Sequence, residues 1–386
     1  MKRCGSEAMP KVDIAIVGAG IVGLAHAYLV ARSGQTVAVI ERNPAALGAS
    51  IRNFGMVWPI GQPAGAMHQL ALRSRELWIE MLTEAQLPCL ATGSLHAAYR
   101  EDEAAVGEEF SQRAPSLGYD CAWLSPAEAI SRSDALRIEG LVGALWSPTE
   151  LTVDPRQIVR SLPRFLDERY GVQFHFNCAV QRIEHLSVQS PNLRLVANAI
   201  IVASGDDFQT LFPECFRNSH LTRCKLQMMR TASQPAGWQL GPSLAFGLTF
   251  NHYPTFQICT ALKALKERIA QEMPDFERWG IHVMVSQMPS GELTIGDSHE
   301  YGLEVDIFDK PEVNRLILDY AKTYSRVPKM EIAEQWHGVY AKHPEHPYLR
   351  CLPAEGVRVV IVTSGIGMTI SFGLAEQTLR EMGVVP

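Results

Sequence analysis

Gly18, Gly20 and Gly23 close the apolar run Asp13-Ile14-Ala15-Ile16-Val17, and Glu41 closes the next one, Val37-Ala38-Val39-Ile40. Residues of these types at this spacing can hold a pyrophosphate and a ribose. The first glycine permits a tight turn, the second lets the backbone approach a phosphate, and the third lets a helix pack on the strand. That helix, starting at Ile21 and Val22, offers unpaired N–H groups and the positive end of its dipole to the phosphates. Glu41, roughly 20 residues beyond the glycines, can accept hydrogen bonds from ribose hydroxyls and would repel a 2′-phosphate. Arg42 beside it belongs to the same end of the ligand. Strand, turn, helix, strand and acid occur in order, which points to a bound adenine dinucleotide.

The glycines do not separate FAD from NAD, because both present the same pyrophosphate and adenosine ribose. Later segments bear on that choice. Ala49, Ser50, Arg52 and Asn53 lie in a small-residue stretch that runs into an extended segment. Ala203-Ser204-Gly205 ends a buried strand downstream of Val180, and Val357 to Val362 leads through Gly365-Ile366-Gly367-Met368 into the last helix. Cofactor-facing segments spread over the whole chain, Gly338 among them, suit FAD better than NAD.

On these residues the sequence resembles the D-amino-acid oxidase-like family of FAD-dependent oxidoreductases, which includes glycine oxidase and sarcosine oxidase. The resemblance covers nearly the full chain. It adds Gly48-Ala49-Ser50, Ala91-Thr92-Gly93-Ser94-Leu95 and Val153-Asp154-Pro155-Arg156 to the segments above. More narrowly, the run from Gly48 to Gly61 and the segment Trp336-His337-Gly338-Val339-Tyr340-Ala341-Lys342-His343-Pro344 look like a clade associated with phosphonate-utilisation genes. The resemblance implies an α/β fold in which a Rossmann-like FAD-binding domain is interleaved with an α+β substrate domain built on an antiparallel sheet. It also implies the chemistry. An amine loses hydride from its α-carbon to flavin N5, water hydrolyses the imine, and oxygen or another electron acceptor reoxidises the flavin. No catalytic base stands out.

In glycine-oxidase-like members an arginine in a Gly-x-Arg segment before the final cofactor turn clamps the substrate carboxylate. This chain has Gly338-Val339-Tyr340 there. A planar carboxylate is best held by a bidentate guanidinium, so the change argues against an ordinary α-amino acid. Lys342 and His343 offer donors suited to a tetrahedral phosphonate; alternatively Lys342 is a solvated loop charge. Tyr340 either caps the pocket and hydrogen-bonds the ligand or simply packs. Arg52 either faces the reduced flavin or an anionic substrate, or ties the domains together through a salt bridge, while Arg223 and Lys225 read as surface charges. The expected substrate is a small anionic amine, an aminophosphonate related to 2-aminoethylphosphonate. The alternatives are a glycine- or sarcosine-type amino acid and a flavin-binding redox protein without turnover. Sarcosine oxidase-like members tether FAD through a cysteine near the segment matched here by Val339-Tyr340; none stands there, which implies non-covalent FAD.

The elements that must position these residues fill 386 residues with 47% hydrophobic content, enough for two domains. Returns of the pattern assign 11–87, 150–213 and 334–386 to the FAD-binding domain and 88–149 and 214–333 to the substrate domain. A helix is expected from Met67 to Ala85, strands over Ala179 to Ile183, Thr222 to Thr231 and Leu293 to Gly296, and a helix from Lys310 to Ser325. A net charge of −6 gives no footprint for nucleic acid. No apolar run reaches the roughly 20 residues of a membrane span, and the N-terminus lacks an apolar signal core, so a cytoplasmic protein is expected. Eight cysteines without a Cys-x-x-Cys pair read as reduced thiols. His337, His343 and His346 cluster, but Pro344 and Pro347 break any helical presentation, so no metal is expected.

Overall fold

The computed structural model describes residues 10–385. Cys4 and the segment read for a signal core lie outside the described residues. The first apolar run forms β1 (Lys11–Val17), the glycine turn enters α1 (Ile21–Arg32), and β2 (Val37–Ile40) follows. β2 is buried along its whole length and α1 over most of its surface, as expected of a parallel strand and crossover helix covered on both sides. Further along come β3 (Leu193–Val202), β4 (Thr222–Thr231), β5 (Ile332–Lys342), β6 (Val357–Val362) and α2 (Gly367–Glu381).

Among the described residues one sheet has eight strands, with β6, β3, β1, β2 and Gln173–His175 parallel in that order and Tyr348–Ala354 antiparallel on the edge beside β6. The register sets Val17 opposite both Ile40 and Val202. Gly18, Glu41 and Ala203 therefore leave the sheet side by side at its carboxyl edge, where open α/β sheets bind their ligands.

The second sheet has nine strands among the described residues, and β4 pairs with β5 along its full length, from Thr222 opposite Lys342 to Thr231 opposite Ile332. The sheet is antiparallel except where Ser243–Phe246 runs parallel to Ser94–Ala98. β5 hydrogen-bonds to this second sheet, yet its far end reaches the first: Lys342 bridges Ser364, just beyond β6. A Cβ on Gly338 would lie 2.9 Å from the Arg52 carbonyl oxygen, so the glycine lets β5 pass over the segment that follows Gly48.

Several elements fall where the sequence places them, including Thr222–Thr231, Leu293–Gly296 and the helices Ala66–Ala85 and Pro311–Tyr324. The strand expected over 179–183 is reduced to Arg182–Glu184, because Cys178, Ala179 and Val180 turn towards a cavity instead. The cysteine reading also needs correction. Cys215 and Cys351 form a disulfide across 136 residues of chain, with Cα atoms 6.2 Å apart, whereas Cys89, Cys121, Cys178, Cys224 and Cys259 are free. Local spacing carries no trace of a pair so far apart.

Candidate active site at the carboxyl edge of the parallel sheet

A cavity of about 830 Å³ opens at the carboxyl edge of the first sheet. Of the residues assigned to the dinucleotide, Gly18, Gly20, Ile21, Val22, Glu41, Arg42, Ala49, Ser50, Arg52, Asn53, Val180, Ala203, Ser204, Gly205, Gly338, Gly365, Gly367 and Met368 all line it. Gly23 and Ile366 do not. Gly23 packs behind the turn, where a Cβ would overlap the Gly18 carbonyl oxygen, and Ile366 faces a second cavity. Asn43, Cys178 and Asp207 also line the first cavity and were not read from the sequence. Asp207 had a findable signal, an acid two residues after the small-residue strand end, and it pairs with Arg42 at 2.6 Å.

The turn residues fit a pyrophosphate. Gly18 has φ +104° and a Cβ on it would overlap the Ala203 carbonyl, so no other residue suits the position. Around the cavity, Gly48, Gly205 and Gly367 leave the space of a Cβ empty, which exposes backbone to a ligand. Ser50 Oγ accepts a hydrogen bond from Ile21 N–H at 2.9 Å, which satisfies one orphan donor of α1 and leaves the next turn's dipole end facing the cavity.

Glu41 is buried with its two oxygens fixed. Oε2 accepts from Ala19 N–H at 3.0 Å and Oε1 from Asn43 N–H at 3.0 Å. A carboxylate has about four lone-pair sites, so acceptor capacity remains for ribose hydroxyls. Asn53 is spent on the loop itself: its amide donates to the carbonyls of Ala49 and Ser50 and accepts from Gly55 N–H. Arg52 is half-buried and donates to the His337 carbonyl at 3.4 Å; among the described residues no carboxylate pairs with it in the way the domain-tie alternative requires.

The four residues expected at the substrate divide between two cavities. Arg52 and Tyr340 line the first, whereas Lys342 and His343 line a neighbour of about 520 Å³. The two adjoin along the end of β5 and the turn from Ser364 to Met368, which contribute walls to both. Burial pushes the Tyr340 hydroxyl well above the usual phenol range, so it stays a protonated donor. Lys342 is half-buried, 5.8 Å from the Tyr301 ring centre, and burial draws its ammonium below the usual lysine range. His343 Nδ1 accepts from the backbone N–H groups of Glu345 and His346, so it pins the turn that follows, and the ring also hydrogen-bonds the Ser219 backbone. Arg223 and Lys225 are committed elsewhere, to Asp206 at 3.3 Å and Asp309 at 3.1 Å, and Lys225 is buried instead of lying on the surface.

A parallel sheet with a glycine turn, an acid at the end of its second strand and a long cavity along its carboxyl edge defines a dinucleotide-dependent protein. The chain belongs to the DAO family of FAD-dependent oxidoreductases, whose model matches residues 13–380. It is 27% identical to D-amino acid dehydrogenase 2 of Mesorhizobium japonicum over 251 residues, half of this chain and 60% of that one. Among solved structures, glycine oxidase from Geobacillus kaustophilus superposes with a TM-score of 0.77 at 20% identity, covering 97% of this chain and 95% of the other. L-alpha-glycerophosphate oxidase from Mycoplasma pneumoniae with FAD bound superposes at 0.73 and 16% identity, covering 97% and 95%. At these identities the superpositions show the fold. Among the described residues, no helix is long and apolar enough to cross a membrane.

Proposed function

We propose that this flavoprotein oxidises a small anionic amine, an aminophosphonate of the 2-aminoethylphosphonate type, with oxygen or another electron acceptor completing the cycle. The observation that carries the reading is Lys342. It brings an ammonium to a cavity that shares its walls with the cofactor cavity, in a segment where Gly338-Val339-Tyr340 supplies no guanidinium fork. A point-like cation beside a phenol donor suits a tetrahedral, multiply charged group better than a planar one.

In this reading Gly18, Gly20 and the first turn of α1 hold the pyrophosphate, Glu41 the ribose, and Ala49 to Asn53, Ala203 to Gly205 and Gly365 to Met368 the rest of FAD. FAD supplies the hydride acceptor when bound. The chain's own part is to hold the amine: Lys342 orients the anionic end, Tyr340 donates a hydrogen bond beside the Gly365 turn, and the buried walls exclude bulk water from the reacting carbon. FAD is held non-covalently. Cys351 is engaged with Cys215, and the Cys224 thiol, whose residue pairs with Tyr340 across the sheet, is pushed up to about 12 by burial, which makes it a poor nucleophile.

A second reading, a glycine- or sarcosine-type amino acid, is favoured by Arg52, whose guanidinium lines the cofactor cavity and offers the fork that Tyr340 lacks. Anaerobic mixing of the yellow protein with a panel of amines separates the two. Bleaching of the flavin by aminophosphonates at lower concentration than by glycine, sarcosine or D-amino acids is expected. The reverse order would establish the amino-acid reading.

A further inference from the structure

The cavity beside Lys342 is walled in part by His252 and His282, with His299 against them, a cluster that the oxidation does not use. We propose that His252, His282 and His299 hold a divalent transition-metal ion, with zinc the best match to three imidazoles. His252 ends the helix Leu248–His252 and is exposed, while His282 and His299 are buried in the segments that lead into the strands Met284–Gln287 and Glu300–Gly302. One ring nitrogen from each lies within 4.8 Å of those of the other two. The backbones of His282 and Asp297 exchange hydrogen bonds, which fixes the buried part of the cluster.

The hydrogen bonds leave lone pairs where a metal needs them. His299 Nδ1 donates to the Gly280 carbonyl at 2.9 Å, because a carbonyl can only accept, so Nε2 carries the free lone pair. His282 Nδ1 is buried with no hydrogen-bond partner. Asp297 is buried beside both rings, with Oδ1 3.0 Å from His282 Nε2 and Oδ2 3.8 Å from His299 Nε2, yet Oδ1 has no properly aligned donor. Buried imidazole lone pairs without partners are costly, and a bound cation satisfies them. Carbonyl and carboxylate partners of this kind orient the histidines of metal sites.

An anion is the competing occupant, and Asp297 decides against it. Zinc–nitrogen bonds of about 2.0–2.1 Å require the donors to draw closer than they stand. His252 makes that adjustment. Its ring now stacks on His282 with centroids 3.7 Å apart, and, exposed at the end of a five-residue helix, it is the member free to turn.

The inference is independent of the substrate reading. The test is metal uptake by the tag-free flavoprotein after treatment with chelator and dialysis against Zn²⁺ or Co²⁺. One equivalent of zinc per chain is expected by elemental analysis, and Co²⁺ should give the visible absorption of a low-symmetry site after the flavin contribution is subtracted. His252→Gln, at an exposed position, should fold with its flavin and lose the uptake. Asp297→Asn should retain the ligands and weaken binding about 10–100-fold. Failure of the parent protein to bind either ion, or equal uptake by His252→Gln, overturns the proposal.

Discussion

The Tyr340 hydroxyl occupies the space that a side chain on Gly365 would need. A Cβ built on Gly365 would lie 3.0 Å from the Tyr340 ring carbon Cζ and 3.1 Å from its oxygen, and Gly365 has φ +74°. This contact joins β5 to the turn that enters α2, across the wall of the first cavity. Gly365→Ala meets two obstacles, a left-handed backbone costing roughly 1–2 kcal/mol and a phenol that must move. Flavin content per chain should fall about 10-fold or more. Removing the phenol in Gly365→Ala/Tyr340→Ala should restore part of it; no recovery would mean that the backbone, and not Tyr340, sets the sensitivity.

Gly18 is the most demanding of the N-terminal glycines, more so than Gly20. Gly20 has φ −68°, and a Cβ there would meet only Ser50 Oγ, at 3.1 Å, whereas Gly18 combines a positive φ with overlap on Ala203. Gly18→Ala should therefore leave little FAD on the purified chain and lower its melting temperature by several degrees, while Gly20→Ala retains measurable FAD. Equal retention by both, measured by flavin absorbance after gel filtration, would contradict this ranking.

Glu41 holds the backbone at Ala19 and Asn43 and has acceptor capacity left over. Glu41→Gln keeps the shape and removes the charge, at a cost of about 1.5–3 kcal/mol for a charge-assisted hydrogen bond. Fluorescence titration of the apoprotein should show FAD affinity reduced by tens-fold, with the fold intact by circular dichroism.

The strand, turn, helix and acid were legible because their chemistry is local: each glycine's task follows from its place within a few residues of a strand end. What escaped the sequence depends on distant chain. Cys215 meets Cys351 only because Tyr348–Ala354 flanks β6, and Lys342 and Arg52 fall in different cavities because β5 belongs to the second sheet while its end reaches the first. His252, His282 and His299 come from a helix end and from the segments that precede two strands. Their spacing of 30 and 17 residues matches no local metal pattern, whereas the proline-broken run His337, His343 and His346 is close in sequence.

Lys342 also sets a pH dependence. Burial lowers its folded pKa below lysine's ordinary 10.5, so the unfolded chain holds this proton more tightly than the native one. Charged Lys342 therefore opposes folding at neutral pH. That cost is relieved as pH rises through the lowered folded value and is gone above 10.5. Lys342→Met should raise stability at neutral pH, and the gain should shrink at alkaline pH. Urea unfolding of parent and variant at the two pH values checks the sign, and a variant less stable than the parent at neutral pH would refute it.

The same residue should trade that stability for substrate recognition. Lys342→Met keeps the length of the side chain and removes its one charge, so KM for an aminophosphonate should rise about 10-fold or more, the worth of a charged hydrogen bond, while the flavin spectrum stays as it was. Tyr340→Arg introduces a planar fork near the end of β5, and should move kcat/KM towards glycine and sarcosine. Arg52 supplies the control, because Arg52→Met should weaken a carboxylate substrate more than a phosphonate if the guanidinium is the carboxylate's holder. The comparison is kcat/KM for 2-aminoethylphosphonate-type amines against glycine and sarcosine in the parent and the three variants. A parent that prefers glycine, with ratios indifferent to Lys342→Met, would remove Lys342 from the substrate site and leave the FAD fold as it stands.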